Sequence, residues 1–314
     1  MRAVFLDRNT FSPDIDLPAP KGITDWVVHE STDNQPEAVI NALKNAEIAV
    51  LNKIVINDAV LKELPQLKLV QITATGKDNV DLQACEQQGV TVQNVAGYST
   101  TSVTEHTLML ILSCMRSLVH YHQLIADGGW QEDGRFSLNT PEPTDIKGKT
   151  LGIIGAGTIG KSVAELAKAF GMKVLLAERQ GEKPRDTTYT PFKEVLAESD
   201  VISLHCPLTD KTKGLINRQT IDFMKNKPLL INVARGALVE SQAVVDALNQ
   251  NKLLGYGCDV FTPEPPAKDE PLLSLTQHPR VIMTPHNAWA SAQAQQKLWR
   301  ILSENVEKWI KTQG

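Results

Sequence analysis

One segment constrains the fold more than any other: LGIIGAGTIGKSVAELAKAFGMKVLLAER, residues 151–179. A β-rich run ends in G-x-G-x-x-G at Gly155, Gly157 and Gly160, a helix-spaced stretch follows, and a second β-rich run closes the unit. Apolar spacing that changes from two to about 3.6 and back is the mark of a βαβ unit. Gly155 allows the tight turn, Gly157 lets the backbone approach a pyrophosphate, and Gly160 lets the helix lie close on the sheet. The run Gly155, Ala156, Gly157, Thr158, Ile159 and Gly160 therefore aims a helix N-terminus at an anion. Glu178 stands eighteen residues past Gly160, at the next strand end, where an acid accepting from a ribose 2′-hydroxyl is expected. A carboxylate there repels a 2′-phosphate, which favours NAD. Arg179 beside it is either a solvent-facing cation or a partner for the phosphate of NADP.

The same alternation extends over the whole chain. Before this unit, RAVFLD, EIAVLN, KLVQIT and VTVQNV are strand candidates separated by helix-spaced stretches; from it onward come TLGIIG, MKVLLAE, DVISLHC, PLLINVA, LGYGCDV and RVIMTP. Strands alternating with helices predict an α/β protein with parallel sheets, and six strands suit a complete dinucleotide fold. Between the two sets, residues 99–127 predict one long helix, apolar on all sides at its centre and so buried. A Gly- and Pro-rich loop follows, up to residue 149, and a loop of that length is functional or packs on a partner. The chain closes with an amphipathic helix whose stripe is Leu298, Leu302 and Val306, flanked by Trp299 and Trp309.

Composition removes other classes. The formal net charge of -4, without a long run of like charges, gives no basic footprint for nucleic acid. No apolar run approaches the roughly 18 residues of a membrane span, and AVFL near the N-terminus is too short for a signal sequence. Cys85, Cys114, Cys206 and Cys258 are widely spaced with no C-x-x-C pair, as expected of reduced thiols in a cytoplasmic protein. His120 and His122 lie two apart on a helix and face different ways, so no metal site is expected.

Three chemically suited residues follow three strand candidates. Arg235 ends LLINVAR, Glu264 lies in DVFTPEPP, and His286 lies in TPHNAWAS. Ligands of open α/β sheets bind beyond the carboxyl ends of the strands. An arginine fork matches a carboxylate and can polarise a carbonyl. A histidine can protonate that carbonyl oxygen as hydride arrives and recover the proton in reverse. A glutamate bonded to the imidazole would fix its tautomer and favour its protonated form. Taken singly, each has a bland alternative: a structural histidine, a solvated glutamate, an ion-paired arginine. Their joint placement beside a dinucleotide motif favours the functional reading. Gly236 is expected to let the chain turn away after the arginine.

GIIGAGTIG, LHCPLT, LLINVARGALV, GCDVFTPEPP and TPHNAWAS together resemble the D-specific 2-hydroxyacid dehydrogenases, along essentially the whole chain. The resemblance implies two doubly wound parallel-sheet domains, a Rossmann NAD-binding domain (99–286) inserted in a flavodoxin-like substrate domain (1–98 and 287–314). It implies catalytic roles for Arg235, Glu264 and His286. It also implies cofactor contacts at Thr104, His205, Cys206, Pro207, Val233, Ala234, Arg235, His286 and Asp259, the last holding the nicotinamide carboxamide. Backbone N–H groups at Thr75 and Gly76 in TATGKDNVD would grip the substrate carboxylate, together with Arg235. Residues 99–149 would form a homodimer interface. LNKIVIND, VAGYSTTSVTEHT, VLLAER and HNAWAS are most similar to the glycerate dehydrogenase, or hydroxypyruvate reductase, branch of the family. The expected reaction is then reduction of hydroxypyruvate to D-glycerate by NADH. Glyoxylate, pyruvate or an aromatic 2-oxo acid are the alternatives, and a non-catalytic NAD-sensing protein is the alternative of a different class. Trp289 is either a wall of the substrate pocket or a core residue.

Overall fold

The strands of the computed structural model, which describes residues 1–313, form two sheets with only parallel pairing. Gly314, the last residue of the expected 287–314 segment, lies outside the described residues. The chain divides into two compact units, Met1–Ser99 with Trp289–Gly314, and Thr100–Ala288.

In the first unit, β1 (Arg2–Phe5), β2 (Asp25–Val28), β3 (Ile48–Leu51), β4 (Leu69–Ile72) and β5 (Thr91–Gln93) are ordered β2-β1-β3-β4-β5. This is the flavodoxin order. Strand alternation sends Val4 and Leu6 to one face, against Val39, Leu43, Val60 and Leu61 of two short helices. Ala3 and Phe5 face the other way, where Leu298, Trp299, Leu302 and Val306 of the helix Ala292–Lys311 cover them. Trp289 belongs to this aromatic layer, edge-on to Phe11 and Tyr98 at ring separations of 6.0 and 6.1 Å. Of its two readings, the structure supports core packing.

In the second unit, β6 (Thr150–Ile154), β7 (Lys173–Ala177), β8 (Tyr189–Thr190), β9 (Val201–Leu204), β10 (Leu229–Asn232), β11 (Gly255–Cys258) and β12 (Val281–Met283) are ordered β12-β11-β10-β9-β6-β7-β8. Counted from β6 this is the Rossmann order 3-2-1-4-5-6, extended by β12. The winding reverses between β6 and β9, so the carboxyl ends of these two strands flank the crevice where such sheets take a ligand. Both faces are covered: Leu151, Ile153, Val163 and Ala167 lie in one core cluster, Ile154, Ile202, Val195 and Val244 in the other.

Three local features differ from the sequence expectation. Two strands are additional, β2 and β8, and both sit at sheet edges, where the apolar signal is weak. The helix predicted over 99–127 is broken into Thr100–Met115 and Leu118–Ala126. At the break Ser117 adopts a left-handed conformation (φ 51°), and the buried Arg280 guanidinium donates to the carbonyls of Met115 (2.9 Å) and Glu142. The terminal carbonyl thus has a partner outside the helix. The first helix is buried over most of its length, but Leu118, Val119 and Ile125 on the second are 57, 54 and 48% exposed. Among the described residues, no helix is long and apolar enough to cross a membrane.

Candidate active site

Almost every expected site residue of the second unit lies on a turn after a strand, at the carboxyl edge of its sheet. Gly155 follows β6, Glu178 follows β7, His205 follows β9, Arg235 comes three residues after β10, Asp259 follows β11 directly and His286 comes three residues after β12. Parallel pairing makes all these ends point one way, so residues far apart in sequence share one rim.

The glycine motif has the shape a dinucleotide needs. Gly155 is left-handed (φ 100°), and a Cβ there would run into the backbone of His205 and Cys206, across the switch point. A Cβ at Gly160 would strike the Gly155 carbonyl, so only glycine lets the helix Thr158–Ala169 start this close to the strand. At Gly157, the N-cap of that helix, an added Cβ would meet nothing within 4 Å. Open space thus adjoins the helix N-terminus where an anion is favoured. The Thr104 hydroxyl is buried with no hydrogen-bond partner among the described residues, an arrangement a ligand atom would relieve. These features fit NAD.

His205 bonds through Nε2 to the Ser203 hydroxyl (2.8 Å), and burial pushes its pKa down to about 4, so its ring is neutral near pH 7. Burial pushes the Cys206 thiol up to about 11, leaving it protonated and unreactive. Pro207 beside them is exposed.

His286 and Glu264 are brought together across 22 residues of sequence. His286 Nδ1 lies 2.6 Å from Glu264 Oε2. A carboxylate can only accept, so Nδ1 carries the proton and Nε2 is the nitrogen left to exchange one. Glu264 is itself oriented, because Oε1 accepts from the Phe261 N–H (3.0 Å). His286 sits at φ 53°, a left-handed conformation that costs a non-glycine residue on the order of 1 kcal/mol and needs support from its surroundings.

That support comes from Asp259, 1% exposed. Its Oδ1 accepts from the Thr284 hydroxyl (2.6 Å) and the Asn287 N–H (3.0 Å), and Oδ2 accepts from the Ala288 N–H (2.9 Å). One carboxylate therefore grips the turn on both sides of His286. A carboxylate offers about four acceptor positions, so little capacity is left for the expected bond to a nicotinamide carboxamide. His106 Nε2 contacts the Thr284 hydroxyl (3.0 Å) and lies 3.6 Å from Asp259 Oδ1. Burial lowers its pKa and Asp259 raises it in part.

Arg235 is half-buried in extended conformation, and its Nη1 donates to the Ala234 carbonyl (2.8 Å). Buried Asn232 shapes this turn: Oδ1 accepts from the Ala234 N–H (3.1 Å), and Nδ2 donates to the Arg235 carbonyl (2.9 Å). Val233 and Ala234 are half-buried between them. Gly236 is needed for another reason than the expected turn. A Cβ there would collide with the carbonyl group of Phe261, so glycine lets the Arg235 turn approach the loop that carries Glu264. Asn232, Thr284 and His106 were not singled out in the sequence; a lone Asn, Thr or His carries no signal until the loops are folded.

Glu178 departs from its expectation. Its carboxylate accepts from the N–H of Arg179 (2.8 Å), from the N–H of Arg185 (3.0 Å), and from Arg185 Nε (2.8 Å) and Nη2 (2.5 Å). These four bonds fill its acceptor positions. The Arg185 guanidinium, followed by the Arg179 N–H, holds its pKa down at about 2. No acceptor is left in this arrangement for a ribose hydroxyl. Arg179 faces solvent beside Glu182, at 3.7 Å.

In the first unit, Thr75 and Gly76 lie on the turn after β4. The Thr75 hydroxyl donates to the Val95 carbonyl (3.0 Å), and Asn94 Nδ2 donates to the Thr75 carbonyl (2.7 Å).

Residues 108–288 match the family described as D-isomer specific 2-hydroxyacid dehydrogenase, NAD binding domain. The chain is 40% identical to glycerate dehydrogenase of Methylorubrum extorquens, over 98% of this chain and 96% of that protein. It is 32% identical to hydroxypyruvate reductase of Blautia hydrogenotrophica, over 99% and 97%. D-lactate dehydrogenase of Aquifex aeolicus, solved with NAD and lactic acid, superposes with a TM-score of 0.85 at 30% identity, covering 99% of this chain and 96% of that one. The chain belongs to the D-isomer specific 2-hydroxyacid dehydrogenase family. It is an NAD-dependent oxidoreductase acting on the CH–OH group of its donor.

Proposed function

We propose that the protein reversibly reduces hydroxypyruvate to D-glycerate with NADH, and that Arg235, Glu264 and His286 carry the chemistry. The observation behind this reading is the 2.6 Å pair of His286 Nδ1 and Glu264 Oε2 on the turns after β11 and β12. It leaves Nε2 as the one ring nitrogen able to exchange a proton, which suits a ketone–alcohol couple. Relatives named glycerate dehydrogenase and hydroxypyruvate reductase support the choice of substrate.

NAD(H), when bound, supplies hydride to the carbonyl carbon and takes it back in the reverse direction. The run Gly155–Ala156–Gly157–Thr158–Ile159–Gly160 holds its pyrophosphate, with Thr104, the His205–Cys206–Pro207 turn, Val233 and Ala234 lining the remainder. His286 Nε2 gives its proton to the ketone oxygen during reduction and recovers it from the alcohol during oxidation. Glu264 holds the ring by Nδ1 and stabilises the imidazolium that exists before the transfer. The Arg235 fork binds the substrate carboxylate and draws electron density from the carbonyl. Asp259 fixes the His286 turn.

The physiological form is a dimer in this proposal. Leu118, Val119, Ile125, Trp130 and Phe136 are apolar and exposed, Phe136 by 96%, and they crowd one short segment of chain. A second copy would cover them. The four free, buried cysteines support a reducing compartment, the cytoplasm.

The test is a panel of 2-oxo acids with NADH, followed by nicotinamide absorbance. The highest kcat/KM is expected for hydroxypyruvate. A higher value for glyoxylate, pyruvate or an aromatic acid would replace the substrate, and NADH binding without turnover on any of them would overturn the catalytic reading.

A further inference from the structure

Glu178, the carboxylate expected on the ribose, is covered by an arginine seven residues along the chain. Glu178 has a side chain only 1% exposed, whereas Arg185, which donates to both its oxygens, is 46% exposed. The Arg185 guanidinium also lies 4.2 Å above the Tyr189 ring, so an aromatic face in β8 holds the fork in place. The backbone N–H groups of Arg179 and Arg185 take the remaining acceptor positions of the acid. Arg179 itself has a side chain 71% exposed.

A strand-end acid selects NAD in two ways: it accepts from the ribose 2′-hydroxyl and it repels a 2′-phosphate. Both need a carboxylate with vacant acceptor positions and an uncompensated charge. Glu178 has neither, because the Arg185 fork neutralises it at contact distance. What this strand end presents to solvent is the guanidinium of Arg185, with that of Arg179 nearby. We infer that Arg185 sets the choice between the two nicotinamide cofactors: it masks Glu178 and offers a cation in its place, so the protein binds NADPH about as well as NADH. Arg185 competes with the ribose for Glu178, and a 2′-phosphate meets the Nη1 side of its guanidinium, which Glu178, bonded to Nε and Nη2, leaves open. The inference rests on the cofactor site proposed above.

The experiment is titration of the full chain with NADH and with NADPH, read by nicotinamide fluorescence. No 2-oxo acid is present, so the outcome is independent of substrate. The two Kd values are expected within about tenfold of each other, a difference of roughly one good contact. Arg185→Gln is expected to weaken NADPH by about tenfold or more while NADH binds as before or more tightly. Glu178→Gln is expected to leave NADH affinity within about threefold, because the acid is already engaged. NADPH more than about tenfold weaker than NADH in the native protein, or a ratio unmoved by Arg185→Gln, overturns the inference. So does a loss of NADH binding beyond about tenfold in Glu178→Gln, which would put the acid on the ribose. Gly157→Asp reports on the site itself: it adds a negative charge at the helix N-terminus and is expected to abolish binding of both nucleotides alike. Retained binding of both would overturn the site and the Arg185 assignment with it.

Discussion

Asp259→Asn tests whether the His286 turn is held as the geometry indicates. The native carboxylate accepts from Thr284 and Asn287 on Oδ1 and from Ala288 on Oδ2, all within 3.0 Å. Asparagine keeps the volume but has one oxygen. With that oxygen placed as Oδ1, two bonds survive as neutral ones, and the new NH₂ faces the Ala288 N–H, donor against donor. Ala288 is 3% exposed, so water does not readily repair the loss. An unsatisfied buried N–H costs about 1–3 kcal/mol, and charge-assisted bonds made neutral lose roughly 1 kcal/mol each. The expected destabilisation is about 3–5 kcal/mol, a large part of the ~5–15 kcal/mol that a domain has in total. Activity should fall further than this loss alone would suggest. His286 is kept at φ 53° by bonds on either side of it, and without them the turn relaxes toward an unstrained conformation. A displacement of a catalytic group by ~1 Å costs about 100-fold in rate. Urea unfolding gives the stability, and kcat for 2-oxo acid reduction in the folded fraction gives the rate. A change under about 1 kcal/mol together with kcat within about threefold would refute the argument. Thr284→Val removes only one of the three bonds and serves if Asp259→Asn does not fold; about 1 kcal/mol and a smaller loss of kcat are expected.

Three further outcomes follow from the site. Glu264→Gln removes the negative charge 2.6 Å from the His286 ring and weakens the bond that fixes its tautomer, so kcat for 2-oxo acid reduction should fall by about tenfold or more; an unchanged kcat would separate the two residues functionally. Gly157→Asp should fold normally, since a Cβ there meets nothing within 4 Å, φ is -78° and Asp is a good N-cap, and thermal melting should lie near that of the native protein. A sharp fall in melting temperature would show that the space at Gly157 is not open. His205 is neutral when folded, with its pKa lowered to about 4, whereas its ordinary value is 6.5. The unfolded chain takes up this proton first, so stability falls as pH drops from about 6.5 toward 4 and this contribution then levels off. His205→Gln should flatten that part of the stability–pH curve, and an unchanged slope would mean that the ring is not held neutral.

Much of this fold is legible from periodicity. A strand buried on both faces, such as IAVL, is apolar without interruption, and the helices between such strands keep their own spacing. Edge strands lack that signature. β2, read DWVV, is covered incompletely, and β8 has two residues, so neither stands out from loop sequence. The break near Ser117 was equally hidden: the helix stops where Arg280, more than 160 residues away, takes its carbonyls. For the site, Arg235, Glu264 and His286 could be named because each is the right chemical type just past a strand. Asn232, Thr284 and His106 could not, because a side chain that positions another is recognisable only by what it touches.

The sequence by itself determined two parallel sheets, a glycine turn at the first strand of the second sheet, and the placing of polar side chains at strand ends. These follow from local rules: apolar spacing fixes the faces of an element, and glycine fixes the turns that a Cβ would forbid. Only the tertiary structure decided how those side chains are spent. It set Glu264 on His286, gave Asp259 to the turn that carries His286, and closed Glu178 under Arg185. A carboxylate has few acceptor positions and takes whichever donors the folded loops bring within about 3 Å, and loop placement is not encoded in any local pattern.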